Sequence, residues 1–301
     1  MHGTRRPARP SAPFLAALAM VMLVVAACSG SDSDERPAPV DGPLSILLVN
    51  DDGWDAPGIT ALYDALRTDG HDMTLVAPLE NQSGRSMSTS VTALEVTQPE
   101  SGSPKYAVAG TPVDALNTGL FGVLADDPPD LVVSGTNLGA NVAANTNYSG
   151  TVGAASAASE AGFPAIAVSA DADADGGADF DDATRTVVEL VDAVARDGFD
   201  GLGSEGFLNV NVPAETASRS EPRGIKAVPL ADGGPRTVQY ERTGPTTWTP
   251  TFEYDPRVGR ASADAEQLAD GWTTVTWLTT ARTPPAGAQD RLDRLVDELE
   301  R

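Results

Sequence analysis

The chain has 301 residues and a formal net charge of -23, from 43 acidic and 20 basic residues. This acidic excess excludes a nucleic-acid duplex as a bulk partner, because binding a phosphate backbone requires a basic surface. It also excludes docking on anionic lipid by charge alone. A small phosphorylated ligand remains compatible with the composition if a cation locally reverses the acidic field.

The first residues indicate export. Arg5, Arg6 and Arg9 precede an apolar run at residues 14–27, which ends in small side chains. This pattern is typical of a secretory signal peptide. The run is too short to span a membrane comfortably, which takes roughly 20 residues.

Cys28, the single cysteine of the chain, lies at the expected cleavage point. The surrounding sequence resembles the lipobox of bacterial lipoproteins, which implies lipid attachment at the Cys28 sulfur. We therefore expect an exported protein, anchored to the outer face of the cytoplasmic membrane through its lipid alone. The alternative is an incidental thiol. One cysteine permits no intramolecular disulfide.

These features predict a signal peptide at residues 1–27, a flexible tether at 28–43 and a folded domain at 44–301. The tether is rich in Ser, Asp, Pro and Gly, a composition that cannot bury enough apolar surface to order itself. About 250 residues remain, which is enough for one large domain.

The domain begins with an apolar run at residues 45–49, the pattern of a strand buried on both faces of a parallel sheet. The run ends at two adjacent carboxylates, Asp51 and Asp52. Neighbouring carboxylates repel each other, so a cation is expected beside them. Because the next basic residue is Arg67, a metal ion is the natural candidate. The alternative is a polar turn with both side chains in water.

Further elements follow the pattern of an α/β protein. The run 45–49, a helix from Pro57 with an apolar stripe and a second run at 73–77 form a strand–helix–strand unit. Thr111, Pro112 and Asp114 predict the capped start of another helix. Additional strands are predicted at 130–134, 165–169 and 207–212, and additional helices at 150–161 and 184–196.

We therefore predict an α/β fold, with a Rossmann-like, mostly parallel sheet and flanking helices. Residues 224–278 change to short β segments with several aromatic residues. We interpret these as a C-terminal β-hairpin extension outside the main sheet. An amphipathic helix near residues 292–299 closes the chain.

Four polar loops are predicted at the carboxyl edge of this sheet, where open α/β sheets bind ligands. They carry Asp51 with Asp52, Ser83, Asn137, and the run Ser149–Gly150–Thr151. Carboxylate, amide and hydroxyl oxygens suit Mg²⁺ or Mn²⁺ better than zinc. The free N–H groups at the start of the helix after Ser149 suit an anion.

Other common catalytic sites are absent from the sequence. His2 lies in the predicted signal peptide, and His71, which we expect on the surface, is the only other histidine. A histidine-based metal site and a Ser–His–Asp triad are therefore not expected. The sequence also lacks a phosphate-binding P-loop.

Taken together, these segments resemble the survival protein SurE family. The matching runs are ILLVNDDG at 46–53, APG at 56–58, VAP at 76–78, NQSG at 81–84, Gly-Thr-Pro at 110–112, VSGTN at 133–137, YSGTV at 148–152 and LNVNVP at 208–213. The resemblance covers roughly residues 44–213. It implies a metal-dependent phosphomonoesterase that removes phosphate from nucleoside 5′- or 3′-monophosphates or other small phosphomonoesters.

The resemblance also implies roles for particular residues. One divalent ion per subunit, Mg²⁺ or Mn²⁺, would be held by Asp51, Asp52, Ser83 and Asn137. Phosphate would lie at Ser149, Gly150 and Thr151, with Asn81 and Asn141 nearby. We expect Asp51 to orient or deprotonate the attacking water and Asp52 to act chiefly as a ligand, although the two could exchange roles.

The C-terminal part matches the family poorly, with a faint similarity of residues 271–278 to the family's last sheet strand. In the family this region exchanges a hairpin or helix between subunits. The resemblance therefore implies a homodimer or a homotetramer without deciding between them.

An acidic loop at residues 171–182 has the approximate spacing of a calcium-binding loop, with Asp171, Asp173, Asp175, Gly176 and Asp182 at positions one, three, five, six and twelve. Ala178 stands where an aliphatic residue is usual, and no helix obviously precedes the loop. A solvated acidic loop is the favoured interpretation.

Two other classes of function compete with a phosphomonoesterase. A solute-binding lipoprotein would capture a nucleotide or phosphate without turnover, but such proteins normally have two similar α/β lobes. A non-catalytic cell-surface relative would not need all four ligand types. Release of phosphate in the presence of Mg²⁺ or Mn²⁺ separates these classes from an enzyme.

Overall fold

The computed structural model describes residues 42–199, 202–216, 218–233, 236–255, 257 and 261–280. Its strands are β1 (Ser45–Val49), β2 (Asp72–Pro78), β3 (Val96–Thr97), β4 (Lys105–Val108), β5 (Leu131–Leu138), β6 (Ala165–Ala170), β7 (Phe207–Val212), β8 (Ile225–Ala227), β9 (Arg236–Arg242), β10 (Trp248–Tyr254) and β11 (Thr273–Leu278). Its helices are α1 (Pro57–Thr68), α2 (Pro112–Thr118), α3 (Gly150–Glu160), α4 (Asp181–Asp197) and α5 (Asp264–Ala269). A π-helix follows α2 at Gly119–Val123, and a 3₁₀ helix occupies Ala143–Asn147.

A nine-stranded sheet organises the described part of the chain, in the order β3-β4-β2-β1-β5-β6-β7-β11-β8. The strands from β4 to β7 are parallel, which confirms the predicted α/β fold. β1 pairs with β2 on one side and with β5 on the other. The direction of winding therefore reverses at β1 and β5, and a ligand crevice is expected at their carboxyl ends.

Alternate residues of the strands pack into two cores, one on each face of the sheet. In β1, Ile46 and Leu48 face the core formed with α1 and α4, whereas Leu47 and Val49 face the core formed with α2 and α3. All four side chains are fully buried. This is the period-two alternation expected of a strand covered on both faces.

Small residues allow α3 to lie close to the sheet. Ala154, Ala155 and Ala158 are fully buried against it. A side chain at Gly153 would lie 2.4 Å from the carbonyl oxygen of Ser86. The predicted small-residue helix is therefore confirmed, and it also contacts the loop that carries Ser83.

The capped start of α2 is also confirmed. The Thr111 hydroxyl accepts a hydrogen bond from the Asp114 N–H, and the Asp114 carboxylate accepts one from the Thr111 N–H. The same carboxylate accepts bonds from the N–H and hydroxyl of Ser90. The capping box thus ties down the end of the polar loop after β2.

The prediction for residues 224–278 is wrong in part. β11 pairs antiparallel with β7, and β8 pairs parallel with β11, so both strands belong to the main sheet. The antiparallel pair β9–β10 forms a separate two-stranded sheet, as predicted for a hairpin extension. The predicted signal peptide, Cys28 and the terminal helix lie outside the described residues.

The acidic loop uses its carboxylates on its own backbone. Asp173 Oδ1 accepts hydrogen bonds from the N–H groups of Asp175 and Gly177 at 2.8 and 2.9 Å. Asp179 Oδ1 accepts one from Asp181 N–H at 2.8 Å, where α4 begins.

Within the described residues, no helix has the length and apolar character needed to cross a membrane.

Candidate functional site

The turn after β1 presents Asp51 and Asp52 at the carboxyl edge of the sheet. Asn50, which is fully buried, shapes this turn because its side chain bonds both the N–H and the carbonyl of Gly53. Gly53 has φ +120°, a conformation that favours glycine. The Asn-Asp-Asp-Gly run therefore forms a hydrogen-bonded turn that fixes the direction of both carboxylates.

Asp51 lies in the crevice between the end of β1 and the start of α3. Its carboxylate Oδ1 accepts a 2.5 Å hydrogen bond from the Thr151 hydroxyl. A side chain at Gly150 would lie 2.7 Å from Asp51 Cβ and 2.8 Å from Oδ2. Only glycine at position 150 therefore allows this approach of the helix to the carboxylate.

Burial raises the pKa of Asp51 from 3.8 to about 6, because the side chain is only 2% exposed. The hydrogen bond from Thr151 opposes this change, and the neighbouring Asp52 charge adds to it. Desolvation therefore disfavours the charged form of Asp51, and no basic side chain is among the causes of its pKa shift.

Asp52 is more accessible and is held by donors from two other loops. Its Oδ2 accepts a bond from the Leu138 N–H at 3.0 Å, and its Oδ1 accepts one from the Asn81 amide at 3.2 Å. Burial raises its pKa, and these two hydrogen bonds lower it. The carboxylate therefore joins the end of β1 to the end of β5 and to the loop after β2.

Asn81 links the loop after β2 to the carboxylate pair. Its amide nitrogen donates to Asp52, and its amide oxygen accepts from the N–H of Ser83 at 3.0 Å. The backbone of Gln82 donates to the carbonyl oxygen of Asp51 at 2.7 Å. The exposed loop residue Ser83 is thus held beside the pair by two connections.

Asn137 lies within β5 and not in a loop, because that strand continues past a register shift between Ser134 and Asn137 to Leu138. The side chain is 8% exposed, and its amide nitrogen donates to the carbonyl of Gly139 at 2.6 Å. This bond orients the amide, and among the described residues no donor occupies its oxygen.

On the predicted phosphate side, Ser149 and Thr151 are engaged with the protein. The Ser149 hydroxyl caps α3 by accepting a bond from the Val152 N–H at 3.1 Å. Hydrogen bonds from Thr151 go to Asp51. Gly150 is the first residue of α3, so its N–H has no acceptor within the helix.

Asn141 lies in a buried amide network near the same edge. Its side chain donates to Ser169 Oγ at 2.9 Å, and its N–H donates to Asn211 Oδ1 at 2.7 Å. The amides of Asn209 and Asn211 both donate to its carbonyl oxygen. These bonds place Asn141 as a support for the segment that leads to α3.

The donor set fits a hard divalent cation. Two carboxylates, a hydroxyl and an amide oxygen come from three segments at one edge, namely the turn after β1, the loop after β2 and the end of β5. These are ligands that Mg²⁺ and Mn²⁺ prefer. Among the described residues, no Lys, Arg or His forms an ion pair with Asp51 or Asp52. A cation is therefore the missing counter-charge.

A second group with possible metal ligands, Asp69, His71 and Asp192, lies at the opposite edge of the sheet. His71 is 8% exposed, so the expectation that it lies on the surface is wrong. Its Nδ1 accepts a 3.1 Å bond from the N–H of Leu44, which places the proton of the neutral ring on Nε2. Since Nε2 faces the carboxylates, it is suited to donate to them and not to bind a metal.

Several supporting contacts escape sequence reasoning. The Leu138 N–H on Asp52 and the Gln82 N–H on Asp51 are backbone donors, which no residue pattern identifies. The Thr151 hydroxyl was expected to face phosphate, whereas it donates to Asp51. The Asn-Asp-Asp-Gly run offered a signal for the turn, because Asn and Gly favour such conformations.

The sequence matches the model of the family described as survival protein SurE over residues 46–236. The chain belongs to this family. The 5′-nucleotidase SurE of Methanopyrus kandleri is 38% identical over 285 residues, covering 86% of this chain and 98% of that protein. The 5′-nucleotidase SurE of Rhizorhabdus wittichii is 38% identical over 246 residues, covering 78% and 93% of the two chains.

A solved SurE structure shows the same fold. The crystal structure of the SurE protein from Aquifex aeolicus superposes with a TM-score of 0.71 at 29% identity, covering 85% of this chain and 100% of that chain. The SurE match includes every predicted metal and phosphate residue, since these lie between Asp51 and Thr151. α5 and β11 lie beyond it.

Proposed function

We propose that this protein is a 5′-nucleotidase, a metal-dependent phosphomonoesterase that hydrolyses nucleoside monophosphates to a nucleoside and phosphate. The observation that carries the proposal is the Asp51–Asp52 pair at the sheet's switch point, held without any basic partner among the described residues. Relatives named 5′-nucleotidase SurE support the substrate class.

The proposed metal site takes one Mg²⁺ or Mn²⁺ per subunit at Asp51, Asp52, Ser83 and Asn137. When bound, such an ion offsets charge on the phosphoryl group and lowers the pKa of a bound water. The protein's part is to hold its oxygen atoms in place. Asn81 does this for the Asp52 carboxylate, and the bond to Gly139 does it for the Asn137 amide.

Asp51 is the proposed residue that orients or deprotonates the attacking water. Burial raises the pKa of Asp51 to about 6 in the metal-free protein, and a bound cation would lower it, so that the charged carboxylate faces the water. The Thr151 hydroxyl occupies Oδ1, which leaves Oδ2 for the reacting side. The assignment of base and ligand between Asp51 and Asp52 is part of the proposal.

The start of α3 is the proposed phosphate site. The Gly150 N–H and the positive end of the helix favour an anion there. Within the described residues, no Lys or His forms an ion pair with the carboxylates, so solvent or the bound cation is proposed to assist departure of the ribose oxygen. Ser149 holds the first turn of α3 through its cap on Val152.

A panel of phosphomonoesters tests this function. Nucleoside 5′- and 3′-monophosphates and a non-nucleotide ester are incubated with Mg²⁺ or Mn²⁺, and released phosphate is measured. We expect release from at least one nucleoside monophosphate. Tight nucleotide binding without phosphate release would instead establish a binding protein and overturn the proposal.

The protein is further proposed to be a homodimer or homotetramer joined through the β9–β10 hairpin. Tyr240, Trp248 and Phe252 are 63%, 57% and 51% exposed on it. Exposed aromatic clusters of this kind mark interaction surfaces. Light scattering after gel filtration should show a dimer or tetramer, and Trp248→Ser with Phe252→Ser should shift it towards monomer. A monomeric parent protein would contradict this.

Export and lipid anchoring at Cys28 are also proposed, on the basis of the N-terminal pattern alone. Two or three acyl chains give stable retention, whereas one is marginal. Cys28→Ala should move the protein from the membrane fraction to the soluble or secreted fraction. Retention of this variant in salt-washed membranes would show that the anchor is misassigned.

A further inference from the structure

Asp264 is a buried carboxylate outside the carboxylate pair and outside the matched SurE region. It lies at the start of α5 and is fully buried. Its Oδ2 accepts a 2.9 Å bond from the N–H of Ala143, and its Oδ1 accepts bonds from Ala231 and Ala265 at 2.8 and 2.9 Å. Of these three donors, Ala143 lies farthest from Asp264 in the sequence, in the segment that leads to the proposed phosphate site.

These three N–H donors do not remove the cost of burying the carboxylate. Desolvation by burial raises the pKa of Asp264, and the backbone hydrogen bonds lower it. Among the described residues, no basic side chain pairs with it. The Asp264 carboxylate accepts from three backbone N–H groups, so it ties together the segments that supply them, a role that an apolar residue would not fill.

That role is suggested by the backbone at Ala143. This residue has φ +50°, which is uncommon for a residue with a side chain. Its own N–H is the group that Asp264 binds, and the next N–H, of Ala144, donates to the carbonyl of Gly233 at 3.1 Å. Two bonds from the C-terminal part therefore hold the strained start of the 3₁₀ helix.

The strained point is connected directly to α3. The 3₁₀ helix runs from Ala143 to Asn147, and the carbonyl of Asn145 accepts bonds from the N–H groups of Tyr148 and Ser149. Ser149 then caps α3, whose first residue is Gly150. A shift at Ala143 is thus transmitted over one short helix to the Gly150 N–H.

We propose that Asp264 is a positioning residue for the phosphate site: it fixes Ala143 so that Ser149 and the Gly150 N–H stand where a phosphate oxygen binds. This inference rests on the proposed function, because it assigns the start of α3 to phosphate. It makes α5, which lies after the residues 46–236 that match the family model, a part of the site's support. Of the proposed metal ligands, Asp51 contacts the start of α3 through Thr151, whereas Asp52 and Asn137 are held by separate contacts.

The test is binding of inorganic phosphate to the Mn²⁺-loaded full chain by calorimetry, with Asp264→Asn compared with the parent. Asparagine keeps the shape but turns one acceptor oxygen into a donor that faces an N–H. We expect the Kd for phosphate and the KM for the nucleotide to rise about tenfold, as for loss of a charged hydrogen bond. The Kd for Mn²⁺ should rise clearly less than the Kd for phosphate, since Asp52 and Asn137 are held by contacts outside α3.

Val187→Ala is the matched control, because Val187 is fully buried in the core formed with α1 and α4, on the other face of the sheet from α3. It should lower the Tm without changing the Kd for phosphate. An Asp264→Asn variant with normal phosphate affinity, or one that loses Mn²⁺ affinity in parallel, would overturn the positioning role. So would a Val187→Ala variant with the same rise in phosphate Kd.

If Asp264→Asn does not yield folded protein, Asp264→Glu tests the same connection. It keeps the carboxylate but moves its oxygens away from the Ala143 N–H, so the Kd for phosphate should rise at least twofold, and an unchanged value would overturn the inference. Failure of the proposed function gives a different result. A parent protein that binds no phosphate with Mn²⁺ present would overturn both the proposed phosphate site and the role of Asp264. If the parent binds phosphate, the result for the variant bears on Asp264 alone.

Discussion

At the scale of single residues, Asp51 concentrates the electrostatic cost of the site. It is almost fully buried next to a second carboxylate, it accepts a hydrogen bond from Thr151, and no basic side chain of the described residues pairs with it. With a pKa of about 6, the Asp51 carboxylate of the metal-free protein is mostly protonated below pH 6, so a proton competes with a cation for it. Cation affinity should therefore depend on pH in a range where most carboxylates do not titrate.

The first prediction follows from that competition. Because its folded pKa is raised, Asp51 contributes stability to the metal-free protein below pH 4, and loses it as pH rises through about 6. Bound Mn²⁺ should remove this loss. We expect the rise in Tm on adding Mn²⁺ to be large at pH 7.5 and clearly smaller at pH 5, where proton competition weakens Mn²⁺ affinity about tenfold, as measured by calorimetry.

Thr151→Val is the control for this assignment. It removes the hydroxyl that stabilises the charged carboxylate, so the pH midpoint for the Mn²⁺ effect should move up by about one unit. A Mn²⁺ effect that is equal at pH 5 and 7.5 would place the cation away from Asp51.

At the scale of the elements, local patterns predicted what local interactions decide. The buried strand β1, the Thr111–Asp114 capping box and the small-residue helix α3 each follow from a short run of sequence. β8 and β11 were misplaced because their partners are decided by pairing between distant segments. The extension of β5 to Asn137 depends on its register with β6, which its own residues do not reveal.

The site was predictable to the same extent. The carboxylate pair and Asn137 could be named from chemistry and resemblance, since they lie at strand ends. The roles of Thr151 and Asp264 could not, because each depends on a bond across about a hundred residues of sequence or more. Every residue except proline has a backbone N–H, so the residue type does not reveal a backbone donor such as that of Leu138.

The second prediction concerns the acidic loop before α4. Asp173 and Asp179 are used in turns of their own backbone. Replacing Asp173 and Asp175 with Asn should leave nucleotide turnover unchanged within about twofold, because no proposed ligand lies in this loop. Steady-state kinetics with saturating Mn²⁺ measures this. A loss as large as that of Asp51→Asn would mean that the metal site is misplaced.

At the scale of the whole molecule, the fold explains how an acidic protein takes an anionic substrate. The chain carries a net charge of -23, which repels phosphate esters in general. The sheet reverses its winding between β1 and β5, so that two carboxylates, an amide and a helix start meet at one edge. A bound cation there converts the most acidic point of the site into a place for phosphate.

The most direct test is the rate of phosphate release from a nucleoside 5′-monophosphate, measured for the parent and for Asp51→Asn, with Mn²⁺ or with excess EDTA. We expect EDTA to abolish activity and added Mn²⁺ to restore it. Asp51→Asn should be slower by on the order of 10²-fold or more, because it weakens cation binding and water activation together. Equal rates in excess EDTA, or near-normal turnover by Asp51→Asn, would contradict a cation-dependent site at the end of β1.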